Sequence, residues 1–338
     1  MNRLGCWLMI EASAPIRICD NGGWTDTWFG GPGRVLNIAV TPGVEVSIRA
    51  TTSPDPIVLA VESYGDRYPV VPRAARAPRH RLLEAAIDSF PPPEGLAVEI
   101  CVRSEVPAGC STGTSAAVAV ALLGALAAAR SEELSPRDAA YAAHQIEVDI
   151  LGAESGIQDQ LSSAFGGINF LEIEPYPEAA VHPLPAWDEL GHRLTLVFLG
   201  HAHDSSAVHQ QVIEGVRTSG SQAFSLLRDA AIAAREAVLT QDLDAFGAAM
   251  IANTEAQRSL HTELVGVDAC RVIEIAAAQG AVGWKINGAG GDGGSITILS
   301  ATREAKEALE HRIAVLDAHY RVLPIQVSPC GLQVRGAL

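Results

Sequence analysis

The stretch Pro107-Ala108-Gly109-Cys110-Ser111-Thr112-Gly113-Thr114-Ser115-Ala116-Ala117, running on into Val118-Ala119-Val120-Ala121-Leu122-Leu123-Gly124-Ala125-Leu126, decides how this chain is read. It is a turn of small residues that feeds an alanine-rich, apolar helix. The first N–H groups of a helix have no internal partner, and the helix dipole favours an anion beside them. Small residues let a phosphate approach the backbone without a Cβ in the way. Taken alone, the run is either a phosphate-binding loop or the entry to a buried helix. It lacks the Gly-Lys-Ser/Thr ending of a Walker A loop and the G-x-G-x-x-G spacing of a dinucleotide loop.

Elements assemble outward from this run. Residues 96–103 read as a strand leading into it, and 57–62 as another. Residues 36–40 and 44–50 flank Thr41-Pro42-Gly43 and predict a strand–turn–strand. Residues 79–90 read as a helix stopped by Pro91-Pro92-Pro93. Beyond the loop, Ser135-Pro136 is a helix start, with Ser as cap and Pro in the first turn, and that helix runs to about 151. A short helix near 158–164 and a strand at 168–173 follow. Residues 174–190 are proline-rich and without period, which predicts a domain boundary. After it come strands at 194–199, 296–299 and 322–327. Helices are expected at 205–216, 221–239, 243–253, 268–279 and from about 303. This order lacks a clean βαβαβ alternation and favours a two-domain α+β architecture.

With 338 residues the chain has room for two domains. Its hydrophobic fraction of 48% and charged fraction of 19% are those of a globular protein. A net charge of −15 argues against nucleic acid and anionic membrane as partners. The six cysteines form no C-x-x-C pair and read as reduced thiols, with a cytoplasmic location expected. The first residues show no signal peptide, and the apolar run near 118–129 is too short to span a bilayer.

Three further segments carry chemistry. Lys285-Ile286-Asn287-Gly288-Ala289-Gly290-Gly291-Asp292-Gly293-Gly294 is either a tight turn or a second loop built for close backbone approach. In Ala14-Pro15-Ile16-Arg17-Ile18-Cys19-Asp20-Asn21-Gly22-Gly23-Trp24-Thr25-Asp26, Arg17 stands in an apolar strand context. A cation there requires an anion, from a carboxylate or from a ligand. Asp26 follows a Gly-Gly turn and suits sugar hydroxyls. Glu147 and Asp159, on either side of a turn, can meet in one cleft. One would hold Mg²⁺ while the other orients a hydroxyl. His201-Ala202-His203 is read as a loop beside the substrate or, less in keeping with its neighbours, as two zinc-type ligands on one strand face.

Together these segments resemble the GHMP-type small-molecule kinases, the superfamily of galactokinase, homoserine kinase and mevalonate kinase. The N-terminal segment, the 107–117 loop and the 285–294 loop occur in family order over essentially the whole chain. Gly22-Gly23-Trp24-Thr25-Asp26-Thr27 is similar to fucokinases. Gln158-Asp159-Gln160 with Ala164-Phe165-Gly166-Gly167-Ile168-Asn169-Phe170 is similar to D-glycero-D-manno-heptose 7-phosphate kinases. The resemblance implies a two-domain GHMP kinase fold: residues 1–185 as a mixed α/β nucleotide-binding domain, and 186–338 as a ferredoxin-like α+β domain. It implies ATP and Mg²⁺ as cofactors and a small sugar or sugar phosphate as acceptor, phosphorylated at its anomeric hydroxyl. Pro107, Gly109, Cys110, Ser111, Thr112, Gly113, Thr114 and Ser115 would wrap the nucleotide phosphates. Thr114 and Glu147 would hold the metal, Asp159 would be the catalytic carboxylate and Arg17 its partner. Gly23, Thr25, Asp26, Gly288, Gly290 and Gly291 would surround the acceptor.

Two positions depart from the family pattern. Ser111 replaces a glycine, which predicts either a negative φ there or a shifted loop. Asp292 also replaces a glycine and is expected to point away from the γ-phosphate. The alternatives are a kinase for a non-anomeric hydroxyl, as in galactokinase or homoserine kinase, and a catalytically silent sugar- and nucleotide-binding homologue.

Overall fold

The computed structural model describes residues 9–53, 55–73, 77–201, 210, 212–216 and 222–337. Two sheets organise them. The larger has nine strands and is centred on β1 (Met9–Asn21) and β2 (Gly33–Ala50). Its main path adds β3 (Ile57–Val61), β4 (Asp66–Pro69) and β5 (Val98–Ser104) beyond β2. β6 (Ile168–Ile173) pairs with the other end of β2, and β7 (Ala179–Pro183) pairs with β6.

The predicted strand–turn–strand at 36–50 is instead one continuous strand. Thr41-Pro42-Gly43 forms a bulge within it: between the pairs Ala14↔Val44 and Ile16↔Val40, two steps of β1 face four of β2. Proline cannot donate to a ladder, so it sits where the ladder is already interrupted. A Cβ on Gly43 would lie 2.2 Å from the Ala14 carbonyl oxygen, so the two backbones touch at the bend.

Helices cover this sheet. They are α1 (Arg81–Ser89), α2 (Thr114–Ala129), α3 (Pro136–Gln145) and α4 (Gln158–Phe165). α2 is the alanine-rich helix and is buried on nearly every side, as its uniform apolarity requires. The Ser135 hydroxyl caps α3 by accepting the Asp138 N–H. α3 runs on through a π-helical turn, Ile146–Ile150.

The second sheet has four antiparallel strands in the order β11-β8-β10-β9. These are β8 (Leu194–Phe198), β9 (Ala281–Ile286), β10 (Ser295–Ser300) and β11 (Arg321–Leu323). The elements before β8 are β7 and α5 (Asp188–Arg193), so the stretch expected to be an aperiodic boundary holds structure of its own. Between β8 and β9 lie α6 (Gln222–Thr240), α7 (Leu243–Leu260) and α8 (Val267–Ala278); α9 (Arg303–Leu316) joins β10 to β11. The strand order and the two crossovers are those of a ferredoxin-like unit. The expected helix at 205–216 lies largely outside the described residues.

The predicted strand at 322–327 divides at Pro324. Its first half, β11, pairs with β8; its second, β12 (Gln326–Val327), pairs with β2. β13 (Gln333–Gly336) then pairs with β1. The segment after 324 thus rejoins the large sheet, although it follows the expected boundary at 185. A notch at Gly124 on α2 receives Leu332, whose Cδ1 lies 2.9 Å from where a Cβ would stand. Among the described residues no helix is long and apolar enough to cross a membrane.

Candidate active site

The start of α2, the end of β1, the π-helical turn, the start of α4 and the 285–294 loop converge on one cleft of about 460 Å³. Gly109, Ser111 and Gly113 all have φ between 58° and 71°. Turning every second residue into the left-handed region folds successive amides toward one concave face, a form suited to an anion. Ser111 departs from the expected negative φ, since it keeps φ at 58° without being glycine. Tertiary contacts hold it there: its carbonyl accepts from Arg17 Nη1, and Gly288 packs against that carbonyl.

Arg17 finds its anion within the protein. Its Nε and Nη2 donate to the two carboxylate oxygens of Asp159 at 2.8 and 3.1 Å, a bidentate pair. Arg17 is 3% exposed, and its backbone N–H bonds the Thr112 carbonyl at 2.9 Å. The strand carrying Arg17 is therefore laced directly to the small-residue loop. A Cβ on Gly113 would lie 3.2 Å from Asp159 Cγ, so the helix start and the carboxylate are in contact.

Glu147 projects from the π-helical turn, whose wider loop of backbone brings it inward. Such turns recur at functional sites. Its Oε2 accepts from the Ser155 hydroxyl at 3.1 Å and from Gln160 Nε2. Burial, and then the charge of Asp159, lifts its pKa to about 7. Asp26 is buried too, and the same two causes lift it to about 7. The Gln158 N–H at the start of α4 donates to Asp26 Oδ2 at 3.2 Å. A Cβ on Gly156 would stand 1.9 Å from that oxygen, so Asp26 lies flush against the Gly156 backbone.

The cleft thus gathers Asp20, Asp26, Glu147, Glu154 and Asp159 around Arg17. That excess of hard oxygen donors, with Asp26 and Glu147 held up near neutrality, is an environment a divalent cation would relieve. Thr114 and Ser115 line the same face.

Most of the residues expected from the sequence meet here: Arg17, Asp26, Gly109, Cys110, Ser111, Thr112, Gly113, Thr114, Ser115, Glu147, Asp159 and Gly288 line the cleft. Others lie behind it. The Thr25 hydroxyl is spent on the Gly22 carbonyl at 2.6 Å. Gly290 and Gly291 back onto Leu264 and Val265, and Gly23 onto Asp20. Pro107 is not among the lining residues. Asp292 points outward, with His201 Nε2 at 3.4 Å from its carboxylate. β8 ends at Phe198, so His201 is not on the strand face considered for it; His203 lies outside the described residues.

Sequence reasoning passed over Asn287, Gln257 and Lys285. Asn287 Oδ1 accepts the Cys19 N–H at 3.2 Å, its Nδ2 donates to Ser295 and Thr297, and the Ser295 hydroxyl donates to the Cys110 carbonyl at 2.6 Å. These bonds stitch the second glycine-rich loop to both β1 and the first. Lys285 carried a readable signal, since it is a cation inside an apolar strand, as Arg17 is.

Residues 74–167 match the model of the GHMP kinases N terminal domain. A D-glycero-alpha-D-manno-heptose 7-phosphate kinase from Campylobacter jejuni is 26% identical over 215 residues, covering 62% of this chain and 63% of that protein. A bifunctional fucokinase/GDP-fucose pyrophosphorylase from Arabidopsis thaliana is 27% identical over 330 residues, 88% of this chain and 30% of that protein. The crystal structure of a D-glycero-D-manno-heptose 1-phosphate kinase from Bacteroides thetaiotaomicron superposes with a TM-score of 0.76 at 23% identity, covering 97% of this chain and 99% of that one. Residues 74–167 are thus similar to the N-terminal domain of the GHMP kinases, and nearly the whole chain shares its fold with the heptose kinase structure.

Proposed function

We propose that the protein is an ATP- and Mg²⁺-dependent kinase that transfers the γ-phosphoryl group to a sugar, at its anomeric hydroxyl. The observation that carries the reading is the bidentate Arg17–Asp159 pair set against the start of α2, with Glu147 and Asp26 on either side. Phosphoryl transfer asks mainly for positioning and charge neutralisation. The amides of residues 109–115 and the Thr114 hydroxyl would hold the nucleotide phosphates. Glu147, with Thr114, offers the oxygen ligands that Mg²⁺ prefers; when bound, that cation would neutralise charge on the phosphates.

Asp159 would accept a hydrogen bond from the attacking hydroxyl. Arg17 keeps its carboxylate oriented and places a fixed positive charge beside the transferring group. An anomeric hydroxyl is more acidic than an ordinary alcohol, so a strong base is not required. Asp26, held near neutrality, can both accept from and donate to sugar hydroxyls. The names of the Campylobacter and Arabidopsis relatives, a heptose 7-phosphate kinase and a fucokinase, support a sugar as acceptor.

The test is ATP consumption with Mg²⁺ across D-glycero-D-manno-heptose 7-phosphate, sedoheptulose 7-phosphate, L-fucose, D-mannose, D-galactose, D-glucuronate and L-homoserine. Phosphorus NMR of the product locates the new ester. A C1 phosphate supports the proposal, and an ester at another carbon refutes the anomeric assignment. Nucleotide binding without turnover on any acceptor would instead favour a silent binding protein.

A further inference from the structure

Lys285, on β9, has no exposure to solvent. Its Nζ donates to Asp20 Oδ1 at 3.2 Å, to Gln257 Oε1 at 3.1 Å and to the Ile286 carbonyl. Burying such a pair is costly, and stability alone is a weak reason to keep one. The neighbours of the pair suggest what it does. Asp20 also accepts the Gly288 N–H, at 3.0 and 3.2 Å to its two oxygens, while Gln257 Nε2 donates to the Gly288 carbonyl at 3.1 Å. Both polar backbone groups of Gly288 are thus held by the two side chains that Lys285 joins.

The network reaches further on each side. Asn253 Nδ2 donates to Gln257 Oε1 at 3.2 Å, and Asn253 Oδ1 accepts the Gly22 N–H at 2.6 Å. Gln158, next to Asp159, donates from Nε2 to Asp20 Oδ2 at 3.4 Å. Gly288 itself abuts the reacting groups: a Cβ there would stand 2.9 Å from the Ser111 carbonyl oxygen and 3.3 Å from Arg17 Nη2. The Gly288 backbone thus lies beside the Arg17 Nη2 that donates to Asp159.

We propose that Lys285 and Gln257, acting through Asp20, are positioning residues for phosphoryl transfer: they clamp Gly288 against Arg17 and Ser111, and so keep the guanidinium aligned with Asp159. The proposal rests on the kinase reading above. Neither Lys285 nor Gln257 lines the cleft, so an effect of either on catalysis must pass through the groups they hold, Gly288 and the cleft-lining Asp20.

Two variants test it, Lys285→Met and Gln257→Leu. The second creates no unpaired carboxylate and serves if the first fails to fold. Hydrogen–deuterium exchange over residues 286–294 reads the clamp without any acceptor; kcat and KM for ATP read its consequence. The expected result is faster exchange in 286–294, with kcat lowered about 10- to 100-fold, as for a catalytic group displaced by about an ångström. KM for ATP should stay within about threefold in the folded variants. Unchanged exchange overturns the clamp. Faster exchange with wild-type kcat overturns its catalytic role and leaves the pair as core packing. If the wild-type protein turns over none of the acceptors, the kinase reading fails and takes the catalytic half with it, while the exchange data still decide whether Gly288 is clamped.

Discussion

Gly156→Ala should disable acceptor use while sparing the nucleotide. The added methyl carbon would stand 1.9 Å from Asp26 Oδ2 and 2.4 Å from its Cγ. Ordinary contact begins near 3.4 Å, so one partner must retreat by about 1.5 Å. Gly156 is not among the residues with positive φ, so alanine brings no backbone strain and the perturbation is steric alone. Asp26 is buried, and swinging aside would cost it the Gln158 N–H. A displacement of about 1 Å in a positioning group costs on the order of 100-fold in rate. We therefore expect kcat/KM for the sugar to fall about 100-fold, with KM for ATP within about threefold of wild type. Loss of the one hydrogen bond should lower stability by about 1–2 kcal/mol, read by urea denaturation. Steady-state kinetics with each substrate varied in turn decide the matter. Acceptor kcat/KM within about threefold of wild type would refute Asp26 as a substrate contact.

Three other outcomes follow from the site. Asp159→Asn should leave nucleotide binding by calorimetry intact and cut turnover roughly 10²- to 10⁴-fold; near-normal turnover would remove Asp159 from the hydroxyl-orienting role. Glu147 has a folded pKa of about 7, above its ordinary 4.5, so the folded state keeps a proton that the unfolded chain has released. The metal-free protein should then lose stability as pH rises from about 4.5 to 7, by up to ~3 kcal/mol from this group. Glu147→Gln should melt higher than wild type at pH 8 but not at pH 4, and should lose Mg²⁺-dependent turnover; equal differences at both pH values would contradict the burial argument. Ser111→Gly should raise the melting temperature, because a non-glycine residue at φ 58° carries about 1 kcal/mol of backbone strain, and should leave kcat within about threefold. A clear loss of stability would show that the serine side chain contributes more than its backbone costs.

The legible parts of the molecule were those where a local rule has one outcome. A cation in an apolar strand needs an anion, and Arg17 has one in Asp159. A serine before a proline starts a helix, and Ser135 does. The same rule applied to Lys285 would have exposed the Asp20 pair, but the glycine run beside it drew the reading toward the loop. Ser111 could not be read locally, because Arg17 and Gly288 impose its φ from distant parts of the chain. β7, β12 and β13 are two to five residues long and mostly exposed, too short for any period to show. The division at Pro324 between two sheets is a tertiary choice. Thr41-Pro42-Gly43 has the composition of a turn, and only the crossing against Ala14 makes it a bend within one strand.

The pairing of β13 with β1 joins Ser13 to Gln333 across nearly the whole chain. During synthesis at about 5–20 residues per second, the strand that carries Arg17 waits roughly 15–60 s before that neighbour exists. For that interval one side of β1 offers unpaired N–H and C=O groups to any passing strand, and the notch at Gly124 stands unfilled. A ribosome paused just before residue 333 would therefore present the large sheet with an adhesive edge. Losses of yield in the cell should track changes at the codons for 333–336 more closely than at those for Arg17 and Asp159.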